Sequence, residues 1–365
     1  MTATPITEGG AMRPIMHTGV ERSERTNLVV TKGVFPDGRQ VGTVVRATGA
    51  TWSPDGTQVA FVTPSGSSLR VANLQGEERT LINAPGTFQP FYAWPVWSPD
   101  GRKVALVEVG WCEIGSRITS VVVVDVAEGR VISSYGPHEF WMAGGTEHGP
   151  TYFTMPEALR WSPDGSKMLI SWDKAVVLDF TTGDIDTISD TRVVAEWAPG
   201  SDAVYYFDVK APERGGRSLS AFNIKVLGTD APRTLMDEEN LAALGLTGAQ
   251  SSIPGLLALS PTGSKLAIAT GRADEGTSSV LIYDARGAHP VAFDNPSQRF
   301  QTDGMIVAMD WGPNEGSMAA ILVGESGSTT LRVLDLATGT WKVVATPEID
   351  VDVIDLIPTV LSWSR

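Results

Sequence analysis

Five residues, Trp-Ser-Pro-Asp-Gly, occur unchanged at Trp52–Gly56, Trp97–Gly101 and Trp161–Gly165, and no other feature restricts the fold of this chain so strongly. Looser copies stand at Trp197-Ala198-Pro199-Gly200, Leu259-Ser260-Pro261-Thr262-Gly263 and Trp311-Gly312-Pro313-Asn314-Glu315-Gly316, and Ser362-Trp363-Ser364-Arg365 opens a seventh. The copies recur 36 to 64 residues apart, the period of four-stranded blades with variable loops rather than of helical solenoids. Each copy is a turn with a mechanism: proline presets φ, aspartate caps the turn and glycine takes a positive φ. A short apolar run follows each one: Val59–Val62, Val104–Val107, Met168–Ile170, Val204–Phe207, Leu266–Ile268 and Met318–Val323. Unbroken apolar runs of this length mark strands buried on both faces. The next strand ends in an Asp-x-x-x-Gly turn at Asp125–Gly129, Asp179–Gly183 and Asp335–Gly339; Asp284–Gly287 is one residue shorter, and Asn73–Gly76 fills the same place in the first unit. A further strand leads to the next tryptophan. The pattern predicts an all-β chain folded as a β-propeller.

Trp-Ser-Pro-Asp-Gly, an apolar strand and an Asp-x-x-x-Gly turn together resemble the TolB-type, WD-repeat-like β-propeller family, from Gly49 to the C-terminus. The resemblance implies a propeller. For function it implies several classes: envelope interaction proteins, the gating propellers of prolyl-oligopeptidase-type peptidases, and lyases. Six copies start complete blades and the seventh stops after one strand. Asn27–Thr31 and Arg39–Arg46 read as two strands around the turn Phe35-Pro36-Asp37-Gly38, so seven blades are expected, the last closed by N- and C-terminal strands. The alternative is six blades with both termini as decoration. Closing the ring removes exposed sheet edges. Residues before Thr26 lack a strand pattern and read as a flexible tail, leaving 27–365 as one propeller domain.

The chain has 365 residues, with 28 basic and 42 acidic side chains, a formal net charge of −14. Such a surface repels phosphate backbones and anionic lipid, so neither nucleic acid nor direct membrane insertion is expected. A single cysteine, Cys112, excludes an intramolecular disulfide and a multi-cysteine zinc site. Beside Glu113 and without a neighbouring base, it reads as filler rather than nucleophile. The first 25 residues carry no hydrophobic block, so the sequence as it stands points to the cytoplasm, and to export only if its start has been trimmed. No Gly-x-Ser-x-Gly elbow, P-loop or dinucleotide fingerprint is present. Four histidines in all, with His17 in the tail and His289 after a turn, do not make a four-histidine iron centre on the axis.

Connections into the tryptophan strands should emerge on one face, and several are long, so binding is expected there. The richest runs from Ser134 to Leu159. Its His138, Glu139, Glu147 and His148 form the only candidate catalytic set, for base, acid or metal-ligand roles, although their spacing matches no helical zinc signature. No cofactor is expected; a divalent metal, if one binds, would take His138 and His148. Tyr92, Trp94, Trp111, Trp141 and Tyr152 are the candidate binding residues, as an aromatic wall at the channel mouth or as filling between blades. Glu348–Asp355 alternates apolar residues with carboxylates, as a half-solvated strand does, without the glycine of a calcium loop. Asp237–Gly245 reads as a short helix lying over the rim. The expected function is a non-catalytic propeller that binds a protein partner or small ligand on its long-loop face. The alternatives are a hydrolase or lyase at the channel mouth, and a TolB-like subunit of an envelope or secretion assembly.

Overall fold

In a computed structural model the described residues are 13, 15–22, 27–47, 49–84, 91–111, 117–136, 158–171, 174–191, 193–210, 218–244, 246, 257–272, 276–285, 295–324, 326–347 and 361–363. Six four-stranded antiparallel sheets follow one another along the chain. The first holds Gly49–Trp52, Gln58–Val62, Ser68–Asn73 and Glu78–Asn83. The second holds Phe91–Trp97, Lys103–Trp111, Arg117–Asp125 and Arg130–Tyr135. The third holds Ala158–Trp161, Lys167–Ser171, Ala175–Asp179 and Ile185–Ser189. Val193–Trp197, Ala203–Lys210, Ser218–Val226 and Arg233–Met236 make the fourth. Leu257–Leu259, Lys265–Arg272, Thr277–Asp284 and Gln298–Asp303 make the fifth. Met305–Trp311, Ser317–Val323, Thr329–Asp335 and Thr340–Ala345 make the sixth. A further four-stranded sheet joins the two ends of the chain: Leu361–Trp363 pairs with Ile15–Arg22, which pairs with Asn27–Val34 and through it Gln40–Arg46. The first strand of every sheet touches the first strand of the next, and that of the stitched sheet touches that of the first sheet. These strands therefore ring an axis. The fold is a β-propeller.

The stitched sheet corrects the expected tail. Ile15–Arg22 is a strand, and Ile15 and His17 are both buried, so the propeller begins at least twelve residues before Asn27. The physical reason is pairing. Trp363 ends the chain's last strand, and the strand at Asn27 needs an inner neighbour before it can reach that strand. Glycine and charge at Gly19, Glu21 and Arg22 mask the alternation in the sequence. No helix among the described residues is long and apolar enough to cross a membrane. The helix expected near Asp237 spans Glu238–Ala243, with the Asp237 carboxylate accepting the Asn240 N–H at 3.0 Å.

The repeat carries two jobs. Its serine and aspartate close the turn on themselves: in the second sheet Ser98 Oγ donates to Asp100 Oδ1 at 2.5 Å and accepts the Lys103 N–H at 3.0 Å, while Asp100 Oδ1 accepts the Arg102 N–H. The Ser53/Asp55 and Ser162/Asp164 turns repeat this pattern. Its tryptophan ties one sheet to the last. The indole N–H of Trp97 donates to the Thr51 carbonyl at 3.1 Å, Trp161 to Val96 at 3.1 Å, Trp197 to Arg160 at 2.9 Å and Trp311 to Ala258 at 2.8 Å. In every case the acceptor precedes the equivalent motif residue of the preceding sheet. Leu259 has no such donor, and the seam between the fourth and fifth sheets lies inside the apolar cluster that runs from Tyr205 and Phe207 to Trp311. Apolar packing there takes the place of a hydrogen bond.

Trp97→Phe keeps an aromatic ring but removes the indole N–H and strands the Thr51 carbonyl. We expect it to cost about 1–3 kcal/mol in urea unfolding. Trp52 is also buried, yet its indole N–H has no acceptor among the described residues, so Trp52→Phe should cost clearly less.

Candidate functional site

The residue just before each motif tryptophan lies on an inner strand, beside the axis. In chain order these residues are Thr51, Val96, Arg160, Glu196, Ala258, Asp310 and Ser362, so the repeat fixes the tryptophan and leaves its neighbour free to vary. An inner strand has one edge without a partner strand, and its outward N–H groups need acceptors. Glu196 and Asp310 meet that need from one residue away: their carboxylates accept the Trp197 and Trp311 N–H groups at 2.9 and 2.8 Å. The second oxygen of Glu196 lies 3.2 Å from Arg160 Nη1 of the third sheet. Glu196 is buried (9% side-chain exposure) while Arg160 is 39% exposed, so the pair is a fixed anion carrying a cation that still meets solvent. A buried carboxylate of this kind depends on its partner.

Two further carboxylates stand inside otherwise apolar strands. Glu108 and Asp208 each lie five residues after the residue whose carbonyl closes the motif turn, Lys103 and Ala203. They are thus repeat-equivalent, in the second and fourth sheets, towards the strand ends opposite the Trp-Ser-Pro-Asp-Gly turns. Glu108 pairs in register with Tyr92, whose single hydroxyl hydrogen is donated to the Asn83 carbonyl at 3.4 Å. Burial raises the Glu108 pKa against the favourable influence of the neighbouring Tyr92 hydroxyl, and burial together with the Glu108 charge pushes Tyr92 up to about 12. Asp208 accepts a 2.8 Å bond from Asn223 Nδ2, and the Asn223 amide oxygen accepts from Thr234 Oγ1 at 2.9 Å. Burial raises the Asp208 pKa too, against the Asn223 bond. Both acids thus stand beside neutral polar groups, and burial raises the pKa of each. Sequence reading passed over both. The signal was present as a lone carboxylate in Val104-Ala105-Leu106-Val107-Glu108-Val109 and in Val204-Tyr205-Tyr206-Phe207-Asp208-Val209.

Of the candidates named from sequence, His138, Glu139, Glu147, His148, Trp141 and Tyr152 lie outside the described residues, as do Cys112 and Glu348–Asp355. Trp111 ends a strand, paired with Arg117, and its side chain lies outside them too. Tyr92 and Trp94 are both buried, at 2% exposure, on opposite sides of the second sheet. Tyr92 packs with Val62 and Leu69 of the first sheet; Trp94 packs with Leu159 and Ile170 of the third. Residues two apart on a strand normally share a face. Here the register shifts between Ala93 and Val96 and Trp94 adopts φ 52°, which turns its ring to the other side. A Cβ at Gly49 would come within 3.3 Å of Pro95 Cδ, so a glycine in the first sheet makes room for this bulge. No group of three metal-ligating side chains occurs among the described residues.

No known sequence family matches this chain, and no curated protein does. Solved structures match its fold. The acylaminoacyl peptidase of Pyrococcus horikoshii is 12% identical with a TM-score of 0.59, over 94% of this chain and 52% of that one. This chain spans about half the length of that peptidase. An oligogalacturonate lyase in complex with manganese is 14% identical, TM-score 0.53, over 91% of this chain and 84% of that one. TolB of Acinetobacter baumannii is 14% identical over 96% of this chain and 83% of that one, with a TM-score of 0.44. At these identities the likeness is one of propeller fold.

The raised Glu108 pKa has a stability consequence with a definite sign. A carboxyl whose folded value exceeds its ordinary value of 4.5 supports folding below that value, and its support is lost as pH rises through the folded value. Glu108→Gln keeps a polar side chain of the same shape beside Tyr92 without the charge. We expect it to melt higher than wild type at pH 7 and to show no gain at pH 4, in thermal unfolding followed by circular dichroism.

Proposed function

We propose that this chain is a non-catalytic binding propeller, six contiguous blades with the stitched sheet as a seventh, and that it takes a protein partner or small ligand on the face carrying the longer connections. The observation that supports this reading is the unequal treatment of the two ends of the strands. At one end most connections are short and bonded to themselves, the exception being 285–297 between Thr277–Asp284 and Gln298–Asp303. Asp125, Asp179 and Asp335 accept backbone N–H groups within their own turns, and Asn73 does the same for Gln75 and Glu77. Polar groups spent in this way have little left for a ligand. At the other end the sequence runs through 112–116, 137–157, 211–217, 247–256 and 348–360, beside strand ends that carry Glu108 and Asp208. With a formal charge of −14, a basic or neutral partner fits better than an acidic one.

A photo-crosslinking residue at exposed Ser65 or Asp190, on the long-connection side, should capture one discrete partner in cells, whereas one at Gln75 or Thr182, in the tight turns, should not. Equal capture from both sides would overturn the placement. The enzymatic alternative draws support from the manganese-bound lyase, which shares this fold. Metal content of the purified protein separates the two readings: we expect no stoichiometric divalent metal and equal melting of wild type and the His138→Ala, His148→Ala double variant across a metal panel. Bound metal that disappears in that variant would favour a hydrolase or lyase.

A further inference from the structure

We propose that Glu315 is the missing carboxylate of the fifth repeat, supplied by the sixth sheet, and that it makes the turn at 260–265 conditional on the docking of its neighbour. In the three intact copies an aspartate two residues after the serine accepts from that serine and from an amide of its own turn. The fifth copy has Thr262 in that position. Its turn nevertheless keeps the repeat geometry: Ser260 N–H donates to the Lys265 carbonyl at 2.9 Å, and Ser260 Oγ accepts the Lys265 N–H at 3.1 Å. The charge comes from elsewhere. Glu315 Oε1 accepts the Thr262 N–H at 2.7 Å and the Thr262 hydroxyl at 2.6 Å, and Oε2 accepts the Ser264 hydroxyl at 3.0 Å.

The sixth copy is built for this. It reads Trp-Gly-Pro-Asn-Glu-Gly over a turn of the same length, Gly312 N–H donating to the Ser317 carbonyl as Ser53 N–H does to that of Gln58, so Glu315 stands where the intact copies have the motif glycine. Asn314 stands in the aspartate's place and closes its own turn by accepting the Gly316 N–H at 3.1 Å. Glu315 is thereby left for the neighbouring turn. It sits at φ 56°, a conformation that a residue with a Cβ adopts only when its surroundings hold it there. Burial would raise its carboxyl pKa, but the bonds from Thr262, Ser260 and Ser264 outweigh it and hold the value below the ordinary range. Each intact turn takes its carboxylate from its own sheet, although the Asp164 N–H also donates to Ser201 Oγ of the fourth sheet at 3.1 Å. The fifth is completed only across a seam.

The test is a cycle in the full chain, read by hydrogen exchange and by thermal unfolding. Glu315→Ala should speed exchange across 262–265 by about tenfold or more, as loss of charge-assisted bonds implies, and leave the turns at 53–58, 98–103 and 162–167 at wild-type rates. Thr262→Asp restores a carboxylate within the turn. It should raise the melting temperature when added to Glu315→Ala and lower it when made alone, because two carboxylates then share one set of donors. If Glu315→Ala does not fold, Glu315→Gln replaces it in the same cycle. Unchanged exchange at 262–265, or a Thr262→Asp effect of the same sign in both backgrounds, would overturn the proposal.

Discussion

An indole N–H reaching one carbonyl in the sheet behind it is the contact on which the ring depends. Sheets stacked face to face are held by apolar area, which has no direction and allows slippage. A single donor aimed at a single carbonyl sets the height and rotation of each sheet against the last. The four bonds from Trp97, Trp161, Trp197 and Trp311 do this at successive seams. Where Leu259 removes the donor, the apolar cluster is at its most extensive, and aromatic packing among Tyr205, Phe207 and Phe222 fills the space.

Part of the charge of the chain is placed in its turns. Asp55, Asp100, Asp164, Asp179 and Asp335 all have pKa values held below the ordinary range, through hydrogen bonds from their own turns, in most cases against burial. These five acids serve the turns and stay firmly ionised there, so their charge still counts in the field a partner meets. Glu196 and Asp310 extend the same economy to the inner strand edges.

Much of the architecture was legible because its signals are local and repeated. The tryptophan, the self-bonded turn and the apolar run stand next to one another in sequence and mean the same thing each time. What escaped is non-local. Ile15–Arg22 pairs along its length with Asn27–Val34, but the strand that places this hairpin in the ring, Leu361–Trp363, comes some 340 residues later in the chain. Glu315 looks like an ordinary turn residue until the fifth turn is placed next to it. Tyr92 and Trp94, two apart, looked like one aromatic surface, and a backbone bulge sends them into different seams. Glu108 and Asp208 were visible as letters, but their weight comes from burial, which a strand pattern alone does not reveal. The histidines and glutamates of the 134–159 connection lie outside the described residues.

The stitched sheet ties the order of synthesis to the order of closure. The strands from Ile15 to Arg46 are made before the six contiguous sheets, yet the inner strand that completes their sheet is made after them. Six sheets can form one after another as the chain emerges, each against a neighbour already present. The opening segment must wait through all of them with the edge of Ile15–Arg22 unpaired, exposed to any other strand in reach. The weak, polar pattern of that segment, which hid it from sequence reading, is also what suits a strand that has to stay unpaired on one edge until Leu361–Trp363 arrives.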